Sequence, residues 1–362
     1  MSRRKFLVGS AAATSAALLA SPAVRAQPAA VTWRLQSSYP KSLEILYGAC
    51  TMFSERIAEL TDGRFDVKVY AAGELVPPFQ VLEGVRNGTV EAGQTASYYW
   101  VGQNKAHAFD TTLPFGLSAR QQNAWVFYGG GLKLLRDFYA EQNMVNFPGL
   151  NTAAQMGGWF RKQINSLEDL KGLRMRIPGM GGEVLSKLGV VPQTLAAGDV
   201  YTALEKGTID ATEWVGPYDD EKLGFYRVAK NYYAPGFWEG SANVSFFANK
   251  EKLDALPKAF RSAFEVAAQE VNVMATARYD VANAEALRRL VSKGAAVRTF
   301  PRDVLQEAFK VSEALLDEEA AKNATFKKLL DSWRPFRETQ SLWSRVNELQ
   351  FANFMAQAGV RR

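Results

Sequence analysis

Two stretches of this 362-residue chain end a short apolar run on groups that could hold an anion or a cation. Residues 202–216 read TALEKGTIDATEWVG: a helix closed by Gly207, a strand, and then Glu213 and Trp214. Residues 81–100 have the same grammar. Gly88-Thr89-Val90-Glu91-Ala92 aligns on Gly207-Thr208-Ile209-Asp210-Ala211, which sets Gln94 opposite Glu213 and is followed by Tyr98-Tyr99-Trp100. Between them, residues 173–178 alternate as a strand that places Arg174 and Arg176 on one face. A guanidinium stays charged, and its planar fork matches a carboxylate through two parallel hydrogen bonds. Either arginine could serve, and a strand arginine equally well closes a surface salt bridge. Gln155 and Glu213 offer hard oxygen atoms, which suit Na⁺, Ca²⁺ or Mg²⁺ rather than a soft transition metal. Trp214 could shield such a site and lend its main-chain carbonyl. Spacing alone names no ion.

Other chemistries lack their residues. The single histidine, His107, lies in a loop-like stretch with no ligand-type neighbours and reads as an ordinary surface residue. A zinc site of standard spacing and a Ser-His-Asp arrangement needing a second histidine are thereby excluded. The single cysteine, Cys50, leaves no intramolecular disulfide. It falls on the apolar stripe Leu43, Leu46, Cys50, Phe53, Ile57, Leu60 and is expected in the core.

The N-terminus reads as an export leader over residues 1–26. Ser2-Arg3-Arg4-Lys5-Phe6-Leu7 fits the twin-arginine pattern, an Ala-rich apolar run follows, and Val24-Arg25-Ala26 resembles a cleavage site. The run is too short and too rich in alanine for a membrane span, which takes roughly 20 strongly apolar residues. The mature protein is therefore expected in the periplasm. Without Arg3, Arg4, Lys5 and Arg25 the net charge falls from +6 to +2. No basic block with interleaved aromatics remains to suggest nucleic acid.

The elements that must position these groups alternate strand and helix, the pattern of α/β layers with largely parallel sheets. A first series begins with a strand at 31–36 and a second restarts after Gly149, so two α/β units are expected with a cleft between them. Ligands in such sheets sit beyond the carboxyl ends of strands, where Glu213, Trp214, Gln94 and Tyr98-Tyr99-Trp100 lie. Residues 27–150 with 241–257 form the first unit, and 151–240 with 294–330 the second. Residues 258–293 lack Pro and Gly and carry the stripe Phe260, Phe264, Ala267, Val271, Met274. They are expected as one helix about 54 Å long across both units. Residues 331–362 form a C-terminal extension. Within it 339–358 reads as an amphipathic helix whose apolar groups, Leu342, Val346, Leu349, Phe351 and Phe354 among them, pack on this chain or on a second subunit.

Leu170-Lys171-Gly172-Leu173-Arg174-Met175-Arg176-Ile177-Pro178-Gly179, then Leu204-Glu205-Lys206-Gly207-Thr208-Ile209-Asp210-Ala211, resembles the periplasmic solute-binding subunits of tripartite ATP-independent periplasmic (TRAP) transporters. Asn87-Gly88-Thr89-Val90-Glu91-Ala92 fits as well, and the likeness covers nearly the whole mature chain. Gly157-Gly158-Trp159-Phe160 and Thr212-Glu213-Trp214-Val215-Gly216 are similar to the branch that binds 2-oxo acids or lactate with a metal ion. The resemblance implies a periplasmic-binding-protein-like fold of two α/β domains, with strands crossing between them and one long helix spanning both. It implies that Arg176 grips the ligand carboxylate, with Arg174 where a lysine is usual. It implies a cation, Na⁺ first and Ca²⁺ second, held by Gln155, Glu213 and the Trp214 carbonyl, with Glu239 a weaker candidate. Tyr98 and Tyr99 would line the opposite wall. The implied partners are a small organic carboxylate, the large and small TRAP membrane permease subunits, and a second copy exchanging the C-terminal helix. Two other readings are a periplasmic ligand-sensing subunit and a metal-assisted enzyme acting on 2-oxo acids. The second lacks a base–nucleophile pair.

Overall fold

Trp33 and Leu35 face inward along β1 (Val31–Ser37) while Thr32 and Arg34 stay exposed, the period-two alternation of a half-buried strand. The structure is a computed structural model describing residues 30–359; the expected leader lies outside the described residues. After β1 come β2 (Phe65–Tyr70), β3 (Ala92–Thr95), β4 (Met144–Asn151), β5 (Gly158–Phe160), β6 (Arg174–Arg176), β7 (Val191–Gln193), β8 (Ala211–Thr212), β9 (Asn231–Ala234), β10 (Asn243–Asn249) and β11 (Ala296–Thr299). They form one sheet in the order β2-β1-β3-β10-β4 and a second in the order β11-β9-β5-β8-β6-β7. Among the described residues no helix is long and apolar enough to cross a membrane.

Both sheets are mixed rather than largely parallel. β10 runs antiparallel to β3 and β4, and β5 antiparallel to β8 and β9. The cause is where the chain changes sheet. β4 passes to β5, and β9 to β10, through short links, without the crossover helix that a parallel neighbour requires. The two links run side by side: Thr152 N donates to the Ala242 carbonyl at 3.0 Å, and Gly236 N to the Gln155 carbonyl at 3.1 Å.

Lys258–Ser292 is one uninterrupted helix of 35 residues. Its first half buries Phe260 and Phe264 among Trp33, Phe53, Phe65 and Phe147 beside the first sheet. Its second half reaches the segment that follows β8. The Tyr279 hydroxyl donates to Asp219 at 2.7 Å, and Asn283 Oδ1 accepts from Tyr218 N at 3.0 Å. Met274 is exposed rather than on the buried stripe. Past Val271 the inward positions step by four, to Ala275 and Tyr279, because a turn of 3.6 residues drifts away from a spacing of three and four.

Other expectations also shift. The helix carrying Cys50 begins only at Gly48, with Leu43 and Leu46 buried in the turn before it. Cys50 is a core residue, and burial pushes its thiol far above the ordinary range. The expected single helix over 339–358 is two. Ala324–Val346 continues through Pro335, and Glu348–Gln357 follows a break at Asn347. Phe326, Leu329, Leu330 and Trp333 bury beside Phe109 and Trp125. Beyond them Phe351 and Phe354 remain 67% and 65% exposed, with Leu342, Trp343 and Val346 also open.

His107 is no surface residue. It is fully buried, its ring 4.8 Å from that of Phe138 and its Nδ1 3.3 Å from the Tyr139 hydroxyl. Burial, and then the Arg86 charge, lower it from 6.5 to about 3. Between those values the unfolded chain binds a proton that the folded protein does not, so His107 makes stability fall as pH falls. Asp110, raised to about 6 by burial, acts in the opposite sense, so the comparison must be with a variant. In urea unfolding, the stability of His107→Gln relative to wild type should rise by about 1.4 kcal/mol per pH unit as pH drops from 6 to 4. A constant difference would refute a neutral, buried imidazole.

Candidate functional site

β6 and β8 lie side by side and parallel, Arg176 opposite Thr212, so Arg176 and Glu213 leave the second sheet from the same edge. The two arginines of β6 part company there. Arg174, 43% exposed, closes its fork on Asp210, with Nε–Oδ2 at 2.9 Å and Nη2–Oδ1 at 2.7 Å. Arg176 is 1% exposed. Its Nη1 donates to Glu213 Oε1 and, at 3.2 Å, to the Glu213 carbonyl, while Nε donates to the Leu195 carbonyl at 3.2 Å. The guanidinium carbon sits 4.6 Å from the centre of the Trp214 ring, a distance at which the ring face attracts the cation. Gly158 explains how β5 comes so close to this turn. Its φ is +93°, and a Cβ there would fall 2.9 Å from Glu213 Cα.

Two further candidates come from the links between the sheets. Gln155 lies in the first, where its Nε2 donates to Thr152 Oγ1 at 2.8 Å and its Oε1 is buried without a partner. Glu239 lies in the second, with both carboxylate oxygens buried and unpartnered; Glu213 Oε2 is in the same state. Burial raises Glu213 to about 7 although Arg176 pulls it down. Glu239 is raised well above the ordinary carboxylate range by burial and then by the Glu213 charge. One guanidinium thus faces two carboxylates, and ionising both leaves uncompensated negative charge in a dry place, a costly state. Orphaned oxygens of this kind fit a hard cation. The Trp214 carbonyl accepts no hydrogen bond among the described residues. Nor is there, among those residues, any cluster of three His, Cys, Asp or Glu side chains. The available set is therefore carboxylate, amide and main-chain oxygen, not the nitrogen and sulfur of a transition-metal site.

Arg176, Gln155 and Trp214 border a small cavity of about 20 Å³, while Glu213 and Glu239 are buried without lining it. Arg176, Trp214 and Val215 face it from the second sheet, and Thr152, Gln155 and Ala242 from the links. Tyr39, Leu46, Ala96, Tyr98, Tyr99 and Val244 complete it from the side of the first sheet. Tyr98 and Tyr99 occupy the turn after β3, ring centres 5.0 Å apart. Gly179, at φ +64°, lets the chain beyond Arg176 pass against Tyr98, where a Cβ would lie 2.7 Å from the ring. Gln94 does not join its counterpart Glu213. Its amide is used within the first sheet's side, accepting from Ser37 Oγ and donating to the Leu46 carbonyl, both at 2.7 Å. Trp100 points elsewhere and donates to Glu83. Among the lining residues that the sequence reading did not single out, Tyr39 and Thr152 carry side-chain hydroxyls. Tyr39 follows the carboxyl end of β1, so the strand-end rule that flags Tyr98 would have flagged it. Thr152 carries no sequence signal; its hydroxyl orients Gln155 and accepts from Ala242 N at 2.9 Å.

The profile of the bacterial extracellular solute-binding proteins, family 7 (DctP), matches residues 36–323. A Nostoc protein named as a monocarboxylate 2-oxoacid-binding periplasmic protein is 47% identical over 360 residues, 98% of this chain and 99% of that protein. A TRAP transporter solute-binding protein from Bordetella bronchiseptica superposes with a TM-score of 0.90 at 49% identity, over 91% of this chain and 98% of that one. It is described as a mixed-occupancy dimer with copurified calcium and picolinate in one active site and the other apo. A TRAP periplasmic solute-binding protein from Pseudoalteromonas atlantica, with bound sodium and pyruvate, superposes with a TM-score of 0.87 at 36% identity, over 90% of this chain and 99% of that one.

The different burial of the two arginines is measurable. Removing Arg176 leaves Glu213 without its counter-charge in the interior, whereas the Arg174–Asp210 pair is open to water. Arg176→Met should lower the unfolding free energy by about 3–5 kcal/mol and Arg174→Met by no more than about 1 kcal/mol, in urea titrations without added metal. Equal losses would mean that Arg176 is not buried as described.

Proposed function

The chain belongs to the bacterial extracellular solute-binding proteins of family 7, as a periplasmic solute-binding protein of the TRAP type, and from that premise we propose that it captures a small 2-oxo acid such as pyruvate, or a related 2-hydroxy acid, together with a sodium or calcium ion. The observation that carries this reading is the set of buried oxygens without partners, Gln155 Oε1, Glu213 Oε2 and both of Glu239, together with the Arg176 guanidinium and Gln155 on the wall of a small cavity. In this reading Arg176 takes the ligand carboxylate in its fork. Gln155, Glu213 and the Trp214 carbonyl hold the cation, with Glu239 beside them. Tyr98 and Tyr99 close the opposite wall. A bound cation would supply the positive charge that lets both glutamates ionise next to an anionic ligand. In this reading the ligand is bound and released unaltered, in keeping with the solute-binding role of the family; His107 is buried and does not line the cavity.

Because the cavity is walled from both sheets and from the links, a ligand gains its full contacts only when the two sides are together. It therefore favours the closed arrangement by its differential affinity. The closed protein would then present its cargo to the membrane permease subunits. We also assign the exposed apolar residues of the C-terminal helices to a homodimer, in keeping with the Bordetella relative.

Calorimetry with pyruvate on chelator-treated protein tests the binding reading. Heat should appear only with added Ca²⁺ or Na⁺, Glu213→Gln should weaken affinity at least tenfold, and the acid should be recovered unaltered. Full affinity in Glu213→Gln, or consumption of the acid, would overturn it. For the dimer, light scattering should give twice the chain mass for the wild type and the single-chain mass for Phe351→Glu/Phe354→Glu. A monomeric wild type would remove that assignment.

A further inference from the structure

Glu44 lies two residues before Leu46, which lines the cavity, on the segment that joins β1 to the Cys50 helix. Its carboxylate meets two groups from the other side. Tyr218 Oη donates to Oε2 at 2.7 Å, and Lys222 Nζ lies 2.8 Å from Oε1. Both belong to the short helix Pro217–Leu223, which starts two residues after the cavity residue Val215. The Lys222 ammonium also sits 5.6 Å from the centre of the Tyr218 ring. These contacts pull the Glu44 carboxyl below its usual range, Lys222 first and Tyr218 second.

The helix that carries Tyr218 and Lys222 has little freedom of its own. Asp220 is buried and accepts from Trp159 Nε1 of β5 at 2.9 Å and from the Tyr232 hydroxyl of β9 at 2.7 Å. Asp219 is buried and accepts from Tyr279 of the spanning helix. Asp220 thus ties the helix to the second sheet, while the Glu44 segment follows β1 of the first sheet and its carbonyl accepts from Arg278 Nη1 of the spanning helix at 3.4 Å. We propose that Glu44, Tyr218 and Lys222 form a polar clasp between the two lobes, and that these positioning residues set how long a bound anion is retained. This rests on the reading of the cavity as an anion site whose walls close.

The clasp lies in water, with Glu44 and Lys222 side chains 49% and 41% exposed. An exposed pair contributes modestly and is screened by salt. A contact made only in the closed arrangement acts on opening, so its loss should appear in dissociation rather than association.

The experiment measures pyruvate dissociation and association, with calcium, by tryptophan fluorescence in stopped flow. Glu44→Gln should dissociate about three to five times faster, with association within twofold and an unchanged melting temperature. The exchanged pair Glu44→Lys/Lys222→Glu should recover most of the retention that Glu44→Lys alone loses. A second readout needs no ligand: spin labels at Lys68→Cys and Lys187→Cys, one exposed site on each lobe, should report wider separations in Glu44→Gln than in the parent. If the wild type binds no pyruvate, the functional reading fails and the label distances alone decide the clasp. Unchanged dissociation with unchanged distances, or no recovery in the exchanged pair, would overturn it.

Discussion

A guanidinium cannot sit in a protein interior without a counter-charge, and Arg176 forms its ion pair with Glu213. Most of the local architecture can be read as the means of keeping that pair together and dry. The parallel register of β6 and β8 delivers both side chains to one sheet edge. Gly158 lets β5 press against the Glu213 backbone, and Trp214 covers the face of the guanidinium. Apolar replacements would fill such a space at less cost. A buried pair that leaves one carboxylate oxygen and part of the guanidinium fork unused has a polar role still to fill.

The position of the remaining donors gives that role a mechanical side. Gln155 and Glu239 are not on either sheet but on the two links between them, which are hydrogen-bonded to one another. A charge captured there would join the second sheet's edge to the segments about which the two sides move. In the proposed reading, whatever neutralises these oxygens would also constrain the angle between the sheets, which would couple electrostatics to closure. Burial lifts Glu213 and Glu239 into a range where they hold protons more readily, which shows how poorly the chain alone satisfies them.

Much of this was legible because it is local. Strand alternation set Arg174 and Arg176 on one face, and the repeated Gly-Thr-Val/Ile motif marked two strand ends. The lack of Pro and Gly over 258–293 gave the spanning helix. What was not legible depends on tertiary partners. Which of two equivalent arginines enters the interior was decided by Asp210 capturing Arg174. The apparent likeness of Gln94 to Glu213 failed because Ser37 and the Leu46 carbonyl satisfy the amide within the first sheet's side. His107 looked like loop because its neighbours in sequence are polar or small, yet Phe138 and Tyr139, some thirty positions on, enclose it. The direction of β5 and β10 likewise followed from short links rather than from any residue pattern within the strands.

A receptor of this kind must release what it binds, which limits how strongly its two lobes can hold one another. Large apolar contact across the opening would favour closure with or without cargo, and an equilibrium already lying to one side responds little to a ligand. The contacts of Glu44 with Tyr218 and Lys222 are of the opposite kind. They are charged, hydrated and few, each weak enough that the interactions proposed for a ligand with Arg176 and the oxygen cluster would decide the outcome. The strong packing lies instead where no motion is needed: the aromatic layer under the spanning helix and the Asp219 and Asp220 ties behind the clasp. Under the proposed function, lobes packed in this way and joined by a few weak contacts would let the small free energy of one buried charge interaction become a change of shape that a membrane partner could recognise.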